Sequence, residues 1–267
     1  MPFAGHVGDL ALAPLYRVYT HRLRERVRRA PVPQHVAVII DGNRRWASEF
    51  GLTEPSDGHR HGAAKIDELL SWCSALGIHD VTVWALSGEN VGSRPTAQLE
   101  PLYETIATKL EALARDARDP ALPLQIRVLG RREHLPDRLR QAVERAEAAS
   151  ADQGLRLNIA LGYSGRDELV DACRRLIRDL VGEGVGSDGM AAHVTPEALA
   201  ARLYTAGAPD PDLIIRTSGE VRMSGFLPWQ SAHSEFYFTD VYWPAFRELD
   251  FLRALRTYQQ RERRFGA

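Results

Sequence analysis

The chain has 267 residues, 44% of them hydrophobic and 26% charged, with a net charge of −1 at neutral pH. That is long enough for one large domain or two small ones with a full core, and the balance is that of an ordinary globular protein. A net charge so close to zero excludes a global field that recruits nucleic acid or anionic lipid, so any anion site must be built locally.

Residues 1–30 come first and differ from the rest. Leu10, Leu12, Leu15, Tyr16, Tyr19 and Leu23 suggest an amphipathic helix, and six arginines crowd the span from Arg17 to Arg29. Such a helix can lie on a membrane surface. The preferred reading is a helix packed on the domain with a solvated basic face, because its apolar face is short. No stretch reaches the length of a membrane span, and the N-terminus lacks the apolar core of a signal peptide, which gives a cytoplasmic address with peripheral membrane contact at most.

From residue 31 onward the chain alternates. Short β-branched runs occur at 36–40, 81–86, 124–129, 155–161, 213–215 and 236–239, most of them separated by helical patterns. Ile66, Leu69, Leu70, Cys73 and Leu76 repeat at helical spacing, with Gly77 as a stop. Leu99, Leu102, Tyr103, Ile106 and Leu110 do the same, as do Leu169, Val170, Cys173, Leu176, Ile177 and Leu180. Cys73 and Cys173 both fall in these patterns, so each is expected to be a small buried thiol and not half of a disulfide. Several strands are apolar without alternation, as when helices cover both sheet faces. The expectation is a single α/β domain over residues 31–267, with a largely parallel sheet of about six strands. The glycine-rich span 182–189 reads as a surface loop.

Three constellations carry chemistry. The first strand ends in Asp41-Gly42-Asn43-Arg44-Arg45-Trp46, and His59 opens a later helix. Ligands of open α/β sheets bind beyond the carboxyl ends of strands. An aspartate there can hold a divalent metal, a glycine lets a phosphate approach the backbone, and arginine offers a forked donor to phosphate oxygens. A turn with solvated arginines accounts for the same residues equally well. Directly after the second strand come Ser87, Gly88, Glu89 and Asn90, with Arg94 closing the loop. A capping turn explains the small residues but not both Glu89 and Asn90. The third runs from Asp212 to Ser224 and carries Arg216 and Arg222, a local anion site in a chain without net positive charge. Beyond it Glu235 begins an aromatic strand, either as an edge carboxylate or as a second metal ligand opposite Asp41. Two acids and several arginines at strand ends suit a diphosphate leaving group with magnesium, which bridges few carboxylates to phosphates. Trp84, Leu86, Leu157 and Leu161 could line a pocket for a hydrocarbon tail or pack the core.

These blocks resemble the cis-prenyltransferase family, which includes undecaprenyl diphosphate synthase, from about Pro33 to the C-terminus. The signature segments are His35–Trp46, Asp212–Ser224, Phe226–Phe238 and the closing Arg261-Glu262-Arg263-Arg264-Phe265-Gly266. The resemblance implies a homodimer whose parallel sheet holds an apolar tunnel, and an enzyme that joins isopentenyl diphosphate to a short allylic diphosphate, geranyl or farnesyl. It implies that Asp41 binds Mg2+ and assists diphosphate departure, with Glu235 as second ligand. It implies that Gly42, Asn43, Arg44, Arg45, Trp46 and His59 grip the allylic diphosphate. Asn90 corresponds to the residue assigned to proton removal, with Ser87, Glu89 and Arg94 in its loop. Arg216, Arg222 and Ser224 match the isopentenyl diphosphate site, and Arg264 and Gly266 a tail that reaches the partner's site.

The chain departs from the long-chain synthases of that family. The stretch 52–57 is longer by a residue and lacks their phosphate-binding arginine; Val91 replaces an aromatic, and Arg44 a glycine. With the N-terminal helix, these features look more like short-chain actinobacterial Z-farnesyl diphosphate synthases. The expected product is therefore a short Z-prenyl diphosphate such as Z,E-farnesyl diphosphate. The alternatives are a longer polyprenyl diphosphate, and a branching or cyclising reaction on the same fold. A non-catalytic partner subunit would be expected to lose Asp41 and Glu235, and a phosphohydrolase using Asp41 would commonly carry a second aspartate where Asn43 stands.

Overall fold

The computed structural model describes residues 5–52 and 54–261. In chain order they form α1 (Gly5–Arg28), β1 (His35–Ile39), α2 (Asn43–Glu49), α3 (Pro55–Ala75), β2 (Asp80–Trp84), α4 (Gly88–Ser93) and α5 (Thr96–Asp116). There follow β3 (Leu124–Leu129), α6 (Asp137–Ala149), β4 (Leu155–Ala160), α7 (Gly165–Gly182), α8 (Ser187–Met190), α9 (Pro196–Ala200), β5 (Leu213–Arg216), β6 (Glu235–Phe238) and α10 (Glu248–Gln260). Each apolar run expected from the sequence is a strand, with its ends displaced by two residues at most.

The strands form one sheet in the order β3-β4-β2-β1-β5-β6, and every neighbouring pair is parallel. All residues of β1, β2 and β5 are buried, as expected where helices and loops cover both faces. The odd and even residues serve different cores. Val36, Val38, Val81, Val83 and Ile215 join the larger cluster with α3, α5, α6 and α10. Ala37, Ile39, Trp84 and Ile214 face a smaller aromatic cluster with Tyr163, Tyr204 and Phe226. Because β1 lies between β2 and β5, the chain moves to one side of β1 and later returns to the other. That is the topological switch at which open α/β sheets leave a crevice.

The helix ends follow the sequence signals. Gly77 takes φ +75° after α3; its N–H bonds Ser74 O at 3.1 Å and that of Ile78 bonds Cys73 O at 2.9 Å. This closes the helix as a Schellman turn. Ser164 caps α7 by accepting the Asp167 N–H.

Three expectations need correction. Cys73 is buried, but Cys173 is exposed. The buried stripe of α7 is Ala172, Leu176 and Leu180, and Val170 and Ile177 stand outside it with Val181. An apolar period that continues around a helix does not say which flank the sheet covers. On α1 the packed stripe is Tyr16, Thr20, Leu23 and Val27, not Leu15 and Tyr19, which are exposed. Arg24 fixes this face by a bidentate bond to Glu248 of α10 at 2.7 and 2.6 Å. The span 182–189 is not all loop, since α8 begins at Ser187. The side chains of Leu10 and Leu12 and the tail residues Arg264 and Gly266 lie outside what is described. No helix among the described residues is long and apolar enough to cross a membrane.

Candidate active site

The crevice beside β1 opens into a cavity of about 380 Å³. Its mouth is polar: Asp41, Gly42, Asn43, Arg44, Arg45, His59, Ser87, Glu89, Asn90, Arg94, Arg216 and Ser224 all line it. They come from the ends of β1, β2 and β5 and the helices that follow, so the switch in strand order brings together three distant segments. Deeper in, the wall is apolar, with Ile39, Ala63, Ile66, Trp84, Leu86, Leu102, Ile106, Leu110 and Ile159. Of the four apolar residues named from the sequence, Trp84 and Leu86 line the cavity, while Leu157 and Leu161 are buried in the core. A second hollow of about 340 Å³ adjoins it and shares Trp84, Ser87, Glu89 and Ser224.

Asp41 is held from several sides. Its Oδ1 accepts the Gly42 N–H at 2.7 Å, and its Oδ2 accepts from Arg216 Nη2 at 3.2 Å. Arg45 Nη2 reaches Oδ1 at 3.4 Å, and Arg45 Nη1 lies 3.8 Å from Glu220. Thr217 Oγ1 accepts the Asp41 N–H at 2.9 Å and so locks the end of β1 to the end of β5. Gly42 sits at φ +94°, and a Cβ there would lie 2.6 Å from Tyr242 Cδ1 and 2.9 Å from Ser218 Cβ. Glycine is therefore required for both the backbone conformation and the space.

Arg216 organises the third constellation. Nη1 donates to Arg222 O at 2.5 Å and to Ser224 Oγ at 2.8 Å, drawing the loop back over the strand end. Ser218, Ser224 and Leu227 all take positive φ, a costly conformation for non-glycine residues that clusters at functional loops. Ser87 caps α4 by accepting the Asn90 N–H at 3.2 Å, which fixes where Asn90 stands.

Positive charge is locally in excess. Burial, then the Arg94 and Arg44 guanidiniums, push the His59 imidazole down to about 4, so it is neutral at pH 7. Burial, then Arg44, likewise lowers Arg94. Cations that disfavour one another in a half-buried crevice are an arrangement that a multiply charged anion relieves.

Three of the expected site residues stand elsewhere. Trp46 is absent from the cavity wall and packs against Phe50 and His61, with ring centroids 5.0 and 4.9 Å away. The Arg222 guanidinium is 63% exposed and pairs with Glu220 at 2.5 Å; its carbonyl is what serves Arg216. Glu235 does not face Asp41 within one chain. It begins β6, opposite Leu213 in register, and Arg261 holds it at 2.5 Å. Asp41 lies past the other end of β1, about five residue steps along and two strand spacings across, roughly 16 Å by 10 Å. In a parallel sheet the start of a strand and the end of its neighbour lie at opposite rims, so a glutamate that begins a strand cannot share an ion with an aspartate that ends one in the same chain.

The sequence reading missed Glu220 and Lys109. The signal for Lys109 was a lysine on the apolar face of the Leu99–Leu110 pattern.

Comparison with known proteins agrees with this geometry. Residues 39–266 match the family described as undecaprenyl diphosphate synthase. An isoprenyl transferase of Thermus thermophilus is 50% identical over 259 residues, covering 96% of this chain and 98% of that protein. A (2Z,6E)-farnesyl diphosphate synthase of Thermobifida fusca is 48% identical over 254 residues, covering 95% and 97%. The crystal structure of lavandulyl diphosphate synthase from Lavandula x intermedia, in complex with dimethylallyl diphosphate, superposes with a TM-score of 0.82 at 34% identity, covering 88% of this chain and 99% of that one. With a six-stranded parallel sheet and an arginine-rimmed crevice at its switch point, the chain belongs to the undecaprenyl diphosphate synthase family and is a cis-prenyltransferase.

Proposed function

We propose that the enzyme condenses isopentenyl diphosphate with a short allylic diphosphate, geranyl or farnesyl, to give a short Z-prenyl diphosphate such as Z,E-farnesyl diphosphate. The observation that carries this reading is one continuous cavity with a surplus of guanidinium groups at its mouth and an apolar wall behind them. The 48% identity to a (2Z,6E)-farnesyl diphosphate synthase supports the short product.

In this reading Arg44, Arg45, His59 and Arg94 hold the allylic diphosphate, and Gly42 and Asn43 shape the turn beneath it. Arg216 and Ser224, with Arg222 in the same loop, hold isopentenyl diphosphate toward the adjoining hollow that shares Ser224. The allylic carbon–oxygen bond breaks and its electron pair leaves with diphosphate. The isopentenyl double bond then forms the new carbon–carbon bond, and a proton is lost from the neighbouring carbon. In this reading Asn90, which lines the cavity and whose backbone Ser87 fixes, assists that proton's departure. The apolar walls exclude water from the allylic carbon as it becomes electron-poor.

A magnesium ion fits this donor set. Asp41 offers an aspartate oxygen pair at the cavity mouth, and magnesium is usually held by one or two carboxylates together with substrate phosphates. Bound there, it would supply charge neutralisation to the departing diphosphate. A contribution from Glu235 requires a second copy of the chain.

The reading includes a homodimer in the cytoplasm, its tail residues Arg264 and Gly266 completing the partner's diphosphate site. Its support on the surface is a stripe along α7, where Val170, Cys173, Ile177 and Val181 are all exposed. Contiguous exposed apolar area of this kind marks an interface. Labelled isopentenyl diphosphate offered with geranyl or farnesyl diphosphate and magnesium tests the whole reading. A short labelled product with a new Z double bond is expected; no incorporation, or a branched product, overturns it.

A further inference from the structure

The cavity wall contains one element that its apolar chemistry does not ask for. Along α5 the lining residues are Leu102, Thr105, Ile106, Lys109 and Leu110, a single helical face at i, i+3, i+4, i+7 and i+8. Opposite, α3 contributes His59 near its start and Ala63 and Ile66 further along. Both helices begin at the diphosphate end, with Arg94 just before α5, and run away from it. Lys109 therefore stands about two turns, roughly 10 Å, beyond Leu102 along the helix axis. It lies at the end of the wall remote from Asp41.

The Lys109 side chain is only 11% exposed, and its ammonium pairs with Asp67 on α3, whose own side chain is 63% exposed. A buried stem with its head drawn out to a solvated carboxylate is a snorkelling lysine. Its four methylenes lie across the gap between α3 and α5 while the charge sits at the outer surface. Ala63 and Ile66 precede Asp67 on the same helix, so the pair straps the two walls together where the cavity ends.

We propose that the Lys109 stem, held in place by Asp67, is the floor of the hydrocarbon site and sets how long a prenyl tail the enzyme accommodates. A tail that stops short of Lys109 meets only apolar wall. A longer one must push the stem aside, bringing an ammonium against hydrocarbon or driving it off Asp67. The inference rests on the reading of the cavity as a prenyl diphosphate site, but not on turnover.

The test is a binding ladder. Geranyl, farnesyl and geranylgeranyl diphosphate are each titrated calorimetrically into the wild type, Lys109→Ala and Lys109→Met, with condensation products sized in parallel. In the wild type, affinity is expected to fall roughly tenfold at the first tail that reaches the floor. Lys109→Ala is expected to erase that drop and to lengthen the products by at least one isoprene unit. Lys109→Met keeps an apolar stem of similar bulk but not the tether to Asp67, and should keep part of the drop. Asp67→Asn should reduce it in part, because the stem is then less firmly held. Equal affinities along the wild-type ladder, an unchanged ladder in Lys109→Ala, or the same loss of the drop in Lys109→Met would each overturn the assignment. Failure of isopentenyl incorporation in the wild type, with the ladder intact, would instead sink the proposed reaction and leave the floor standing.

Discussion

Arg216 Nη2 donates to Asp41 Oδ2 across 3.2 Å, and the guanidinium that makes this bond is only 6% exposed. The bond joins the end of β5 to the second residue after β1, two strands that are neighbours in the sheet yet carry segments 175 residues apart in the chain. The same guanidinium holds Arg222 O and Ser224 Oγ. One arginine thus ties Asp41 and the loop that carries Arg222 and Ser224 into one unit.

Removing the Asp41 charge should therefore act on chemistry and on local structure together. Asp41→Ala takes away the proposed metal carboxylate and leaves a nearly buried guanidinium short of its counterion, a change costing about 1–3 kcal/mol of stability. Asp41→Asn keeps the shape and a hydrogen-bond acceptor for Arg216. Both variants should lose on the order of a thousandfold in kcat or more, with Asp41→Asn the closer to wild type in thermal unfolding. A folded Asp41→Asn protein with near-normal turnover would remove Asp41 from the mechanism.

The two diphosphate ends should separate in steady-state kinetics. Arg45 lies on the Asp41 side of the mouth, whereas Arg222 lies on the loop folded over Arg216. Arg45→Ala is expected to raise KM for the allylic substrate, and Arg222→Ala that for isopentenyl diphosphate. A charged hydrogen bond is worth roughly 1.5–3 kcal/mol, so each shift is about ten- to a hundredfold. Because Arg222 is solvated and engaged with Glu220 without substrate, its effect should sit at the lower end. If each variant raises both constants alike, the two sites are not separated in this way.

The legible part of this site was the part written in contiguous motifs. Asp41–Arg45, Ser87–Asn90 and Arg216–Ser224 each follow a strand, and in a parallel sheet every strand ends at the same rim. Placing the strands therefore placed the residues. Glu235 instead starts its strand, which sets it at the opposite rim from Asp41 within one chain. Trp46 is one step beyond Arg45 on α2, and a helix turns successive residues by about 100°, which points it at Phe50 and His61 instead of the cavity. Lys109 was hidden because hydrophobic periodicity reports the buried face of a helix but not whether that face meets a neighbour or an empty space. The exposure of Cys173 has a related cause: α7 is apolar on a wider arc than the sheet covers.

Acid should destabilise the protein through His59. Its pKa is about 4 when folded against an ordinary 6.5, so below 6.5 the unfolded chain binds a proton that the folded chain refuses. The contribution is complete above pH 6.5 and is lost as pH falls toward 4, reaching about 2 kcal/mol by pH 5. Thermal unfolding of wild type and His59→Asn at pH 7 and pH 5 isolates it, because all other groups are shared. The variant should lose less stability on acidification. Parallel losses would mean that His59 is not held neutral. Inorganic diphosphate should weaken the effect in the wild type, because an anion beside the imidazole favours its charged form.

The last prediction concerns the α7 stripe. Val170, Ile177 and Val181 are 45%, 51% and 59% exposed, at spacings of seven and four residues, with Cys173 between them on the same side. A lone exposed valine asks for no partner, but a run over three helical turns is the seam by which helices associate. Placing charge there, as in a Val170→Asp/Ile177→Asp double variant, buries unpaired carboxylates in any interface the stripe makes. That penalty of several kcal/mol is enough to dissociate a dimer at micromolar concentration. Neither substituted residue lines the cavity or the adjoining hollow. If the tail completes the partner's site, the resulting monomer should remain folded by thermal unfolding yet lose activity, and truncation of residues 264–267 should lose activity while remaining dimeric. Light scattering with steady-state kinetics on both proteins separates the cases. A monomeric double variant with full activity would show that each chain works alone, and a wild type that is itself monomeric would leave the stripe to another partner.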